Sequence, residues 1–86
     1  MTDESKGESM SRIKISADKA AGCTLMIEPL GIDYELKPGA SMSFEFSSSR
    51  IDEMEVLYWN GGISVWIYGD VTVFDQDGKE VDRLFS

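Results

Sequence analysis

Histidine is absent from this chain, cysteine occurs once, at Cys23, and proline only twice. The commonest general base and metal ligand is therefore missing, and a lone thiol has no partner for an internal disulfide. Cations are scarce too: eight Lys and Arg face sixteen Asp and Glu, a net charge of −8. That balance repels nucleic-acid phosphate and anionic lipid, so neither direct nucleic-acid binding nor membrane attachment is expected. Long apolar runs are lacking as well. Residues 1–11, MTDESKGESMS, hold no apolar centre of an export signal, and nothing approaches the roughly eighteen apolar residues of a membrane-spanning helix. One thiol and no export signal predict a cytoplasmic protein.

What is present describes one small domain. Of 86 residues, 42% are apolar, and a chain this short buries only roughly 60–65% of its unfolded surface, which leaves little for a deep pocket. Residues 1–11 are polar and predict a flexible tail; residues 12–86 predict a single β-domain. Beyond Arg12 the apolar side chains recur at every second position, the period of half-buried strands. Ile13 and Ile15 alternate with Lys14 and Ser16. Cys23, Leu25 and Ile27 share one face while Thr24, Met26 and Glu28 take the other. Ile32, Tyr34 and Leu36 alternate with Asp33 and Glu35 up to Pro38-Gly39, a pair suited to the centre of a type II turn. Met42, Phe44 and Phe46 face inward against serines and Glu45, and a short helical turn is expected over residues 49–54.

The strand over residues 55–59 runs into Asn60-Gly61-Gly62, a hairpin signal with positive-φ central residues, and returns over residues 63–68 with Trp66 and Tyr68 on one side. Residues 71–74 turn at Asp75-Gln76-Asp77-Gly78 into a last strand over 79–84. Six to eight short strands at this spacing predict an all-β fold, a small antiparallel β-sandwich or a partly open barrel, the sandwich being favoured.

Leu25-Met26-Ile27-Glu28-Pro29-Leu30-Gly31-Ile32-Asp33-Tyr34-Glu35-Leu36-Lys37-Pro38-Gly39, with Gly62-Ile63-Ser64-Val65-Trp66 further on, resembles small uncharacterised bacterial all-β domains built on an EPxG…YxLxPG core. The resemblance spans about two-thirds of the chain. It implies a β-fold and a bacterial or phage origin, and brings no activity or site residues with it.

The residues that carry chemistry elsewhere are read here mostly as structure. Asp75-Gln76-Asp77-Gly78-Lys79-Glu80 has oxygen ligands at alternate positions, but a calcium loop needs about twelve residues and a terminal bidentate Glu; a tight Asp-Gly turn is expected instead. Asp33 with Glu35, and the run Asp52, Glu53 and Glu55, resemble acid–base pairs without a cleft, so no catalytic carboxylate is assigned and no enzyme activity is expected. Cys23 has no histidine to activate it and is expected as a small buried residue. Gly61-Gly62 belongs to the hairpin and is no phosphate loop. No metal and no cofactor is expected.

Five of the nine aromatic side chains, Tyr58, Trp59, Trp66, Tyr68 and Phe74, cluster in the hairpin region. Trp59 or Tyr58 is expected to meet Trp66 or Tyr68 across it. The excess negative charge falls entirely from Glu28 onward. Trp59, Trp66 and Tyr68 with Asp52, Glu53 and Glu55 are accordingly the expected binding residues of a non-enzymatic protein-binding or self-associating module, with a protein partner or a homodimer. The alternative is an acidic inhibitor or nucleic-acid mimic of the immunity or phage counter-defence type, directed at a basic protein.

Overall fold

A computed structural model describes residues 9–85. Eight strands form two four-stranded sheets that pack face to face as an open sandwich. The strands are β1 (Met10–Ser16), β2 (Cys23–Glu28), β3 (Ile32–Leu36), β4 (Ser41–Ser47), β5 (Glu55–Trp59), β6 (Gly62–Trp66), β7 (Val71–Phe74) and β8 (Glu80–Leu84). One sheet has the order β1-β4-β7-β8 and the other β3-β2-β6-β5. We call them the first and second sheet. The domain's first strand thus begins at Met10, two residues before the expected start, and most of the expected tail, residues 1–8, lies outside the described residues.

Alternation decides what each strand buries. Leu25 and Ile27 of β2, Phe44 and Phe46 of β4, Val65 of β6 and Val73 of β7 are fully enclosed, while their strand neighbours look outward, as a period of two requires. The antiparallel expectation holds for five of the six strand pairings; β2 and β6 instead run parallel, with Leu25 opposite Ile63 and Ile27 opposite Val65. Parallel neighbours need a long crossover rather than a hairpin, and the chain supplies it through β3, β4 and β5.

The turns follow their residues. Ala40 N–H donates to the Lys37 carbonyl at 2.9 Å, and Gly39 has φ +78°, as a type II turn over Pro38-Gly39 requires. At the β5–β6 hairpin only Gly61 takes positive φ, at +97°; Asn60 does not, so the expected pair of positive-φ residues reduces to one. Asp75 anchors the last turn: its Oδ1 accepts from the Asp77 and Lys79 amides at 2.9 and 3.0 Å. The expected helical turn is a 3-10 helix, Ser48–Glu53, with the Ser47 side chain accepting from the Ser49 amide at its start. No helix among the described residues is long and apolar enough to cross a membrane.

The two sheets are clasped at one edge. Tyr34 of β3 donates its hydroxyl proton to Asp82 Oδ2 of β8 at 2.9 Å. Burial, followed by the hydrogen bond and the charge of Asp82, raises the Tyr34 pKa well above the ordinary tyrosine value.

Candidate functional site: the outer face and edge of the second sheet

The register of the second sheet puts Thr24, Met26 and Glu28 of β2 beside Gly62, Ser64 and Trp66 of β6, with Asp33 and Glu35 on one flank and Glu55, Leu57 and Trp59 on the other. These side chains share the outer face. Met26 on a central strand, Leu57 and Trp59 on the β5 edge and Trp66 between Glu28 and Glu55 make up its apolar part, Asp33 and Glu35 lie on the β3 edge, and none of its strand positions holds Lys or Arg. Trp66 sits in one row with Glu28 on β2 and Glu55 on β5. Neighbouring strands lie about 4.8 Å apart, so the half-buried Trp66 indole is flanked by two carboxylates. A cation over an indole face is attracted by the ring quadrupole and here also by two formal charges.

The other outer face differs. On the first sheet Arg12, Lys14 and Arg83 are interspersed with Glu45 and Glu80. Arg12 lies 4.1 Å from the Phe74 ring centroid and 3.4 Å from Glu45 Oε2, and Arg83 lies 3.0 Å from Glu80 Oε1. Among the described strand positions, negative charge without counter-charge is thus confined to one side of the sandwich.

Trp59 is held locally. Its Nε1 donates to Ser64 Oγ at 2.9 Å, and its ring covers Gly62, the residue opposite it in the ladder. Ser64 is buried and polar, and this bond satisfies it. The aromatic pairing expected across the hairpin does not form, because Tyr58 stands opposite Ile63 and Trp59 opposite Gly62 while Trp66 stands opposite Glu55. A two-residue loop fixes that register. Trp59 and Trp66 still share the outer face, two rows apart, roughly 13 Å along the strand.

The remaining expected site residues are dispersed. Tyr68 lies past the end of β6, and the Arg50 guanidinium is 5.8 Å from its ring centroid. Arg50 also pairs with Glu53, Nη2 to Oε1 at 2.7 Å, and this bond holds the Glu53 carboxyl below its ordinary range. Asp52 is exposed on the 3-10 helix and Glu55 alone of the three belongs to the outer face. Phe74 belongs to the other sheet.

Sequence reasoning did not count Met26, Leu57 or Glu28 among the candidate binding residues, nor the edge made by Val56 and Tyr58. The signal was the uninterrupted apolar run from Val56 to Trp59, which is long for a strand with one buried face. Val56, Leu57 and Tyr58 are 53%, 52% and 80% exposed.

At the hairpin end an open groove of about 390 Å³ is lined by Asp18, Cys23, Tyr58, Asn60 and Ile63 among others. Cys23 is half-buried there, not enclosed as expected, because the hairpin loop leaves its strand end uncovered. Asp75, whose Oδ1 accepts from two backbone amides, belongs to a turn.

The fold and site define a β-sandwich with one acidic, aromatic outer face. No family model, curated protein or solved structure matches the chain.

Proposed function

We propose that this chain is a non-enzymatic, cytoplasmic protein-binding domain that holds a basic protein on the outer face of its second sheet. The observation that carries this reading is the row Glu28–Trp66–Glu55, set in a face whose strand positions bear four carboxylates and no cation. A lysine or arginine of the partner docks against the Trp66 indole between the two glutamates, and Met26 and Leu57 supply apolar contact beside it. The same gathering of carboxylates on one side favours a second reading, in which the bound protein is a nucleic-acid-binding protein whose groove the acidic face occupies and blocks.

Affinity capture from the source organism with wild-type protein and with a Glu28→Gln/Glu55→Gln variant tests both. The expected result is a basic protein retained by the wild type, lost by the variant, and released as salt rises. Equal retention by both proteins, or capture that salt leaves untouched, overturns the proposal. If the captured protein binds nucleic acid, competition by nucleic acid separates the second reading from the first.

A further inference from the structure

We infer that β5 is a self-pairing edge, and that two copies of the chain join there into one continuous eight-stranded sheet. Four strands lie at sheet edges, and three carry the devices that discourage edge pairing. Edge strand β1 bears Arg12 and Lys14. On β3 the charges are Asp33 and Glu35. Glu80, Asp82 and Arg83 lie on β8, where the ladder also shifts register at Val73/Phe74. Of the four described edges only β5 is undefended: Glu55 is its sole charge, at its first residue, and the exposed segment Val56-Leu57-Tyr58 follows.

The backbone selects the register. Thr24 N–H donates to the Gly61 carbonyl and Ile67 N–H to the Glu28 carbonyl, each at 3.0 Å. Residues 63, 65 and 67 therefore direct their amides to β2, while Gly62, Ser64 and Trp66 direct theirs to β5. Glu55, Leu57 and Trp59, their partners, face inward along the ladder, and the N–H and C=O groups of Val56 and Tyr58 point out from the sheet. A second β5, antiparallel about a two-fold axis at Leu57, meets these groups with its own Tyr58 and Val56. Four backbone hydrogen bonds then form, and all five residues of the strand are paired. Shifting the axis by one residue keeps the parity and leaves an end unpaired.

Side chains suit the same register. Val56 stands against Tyr58 of the second copy, a β-branched–aromatic pair of the kind that stabilises sheets. Leu57 meets its own counterpart, and Glu55 meets Trp59, so the two Glu55 carboxylates lie roughly 14 Å apart along the strand direction, beyond the Debye length of about 8 Å at physiological ionic strength. The isologous contact closes on itself, as two-fold contacts do, and it extends the acidic outer face across both copies. The inference does not depend on the basic partner proposed above, and salt separates the two: screening strengthens association of two chains of net charge −8 and weakens binding of a basic protein.

Sedimentation velocity over a concentration series, at low and high salt, tests it together with three variants. Wild type is expected to be a concentration-dependent dimer, tighter at high salt. Tyr58→Lys places a charge opposite Val56 of the second copy and diagonal to its own counterpart, and Tyr58→Pro removes an amide that β6 does not use; each is expected to weaken dimerisation at least tenfold while the circular-dichroism spectrum is retained. Leu57→Cys in a Cys23→Ser background is expected to oxidise to a covalent dimer, because directly opposed positions of a non-hydrogen-bonded pair approach disulfide geometry. A wild-type chain that stays monomeric throughout overturns the inference and leaves the edge to a strand of another protein. A dimer that persists in folded Tyr58→Lys protein and does not cross-link through Leu57→Cys also overturns it.

Discussion

The indole of Trp59 occupies the space over Gly62 where any other residue would carry its Cβ, and the same indole donates its N–H to Ser64. A glycine within a strand gives up side-chain packing, and here the tryptophan opposite it restores the covering. The Thr24 carbonyl oxygen, 2.6 Å from the position of that Cβ, closes the other side.

Gly62→Ala is therefore expected to destabilise the fold by about 1–3 kcal/mol through overpacking, read as a lower urea midpoint at unchanged slope. Truncating the ring in a Trp59→Ala/Gly62→Ala double variant recovers only part of the loss, because the Thr24 carbonyl remains. Full recovery would show that the ring alone excludes the methyl group.

The Tyr34–Asp82 clasp predicts sensitivity to alkali. Tyr34 holds its proton more tightly when folded than in the unfolded chain, where tyrosine titrates near about 10. The unfolded state thus releases a proton that the native state keeps, and stability is complete below about pH 10 and falls as pH rises above it. Tyr34→Phe is expected to remove that component of the alkaline loss and to lower stability at neutral pH by about 1 kcal/mol. A thermal melting series from pH 8 to about 11.5 compares the two proteins; identical alkaline slopes would mean that the clasp does not form in solution.

Asp75→Ala is expected to lower stability by about 1–2 kcal/mol, since two backbone amides lose their acceptor, while Asp75→Asn retains part of it through the amide oxygen. Calcium is expected to produce no saturable rise in melting temperature beyond that of an equal ionic strength of another salt, because Asp75 Oδ1 is held by two turn amides and no group of three or more possible ligands gathers among the described residues.

Emission from Trp66 offers a direct reading of the acidic face. In a Trp59→Phe background, titration with a short arginine-rich peptide is expected to change the fluorescence saturably and to do so less as salt rises. Adding Glu28→Gln and Glu55→Gln is expected to weaken the response at least tenfold. An unchanged titration curve would remove Trp66 from the interface.

The amino-acid order determined which residues form strands and which way their side chains face. Leu25 and Ile27 inward, Thr24, Met26 and Glu28 outward, the turn at Pro38-Gly39 and the hairpin at Asn60-Gly61 were all legible, because alternation and turn chemistry act over a few bonds. It also placed Trp59, Trp66 and Glu55 among the candidate binding residues, though it grouped them with Tyr68, Asp52 and Glu53, which the structure carries elsewhere. Sheet membership was not legible. The chain crosses between sheets after β1, β3, β4 and β6, and that path alone sets β2 parallel to β6, brings Glu28 beside Trp66, makes β5 an edge and joins Tyr34 to Asp82 across 48 positions. Such contacts are decided by which buried faces pack together, a property of the whole core that no local pattern of residues contains.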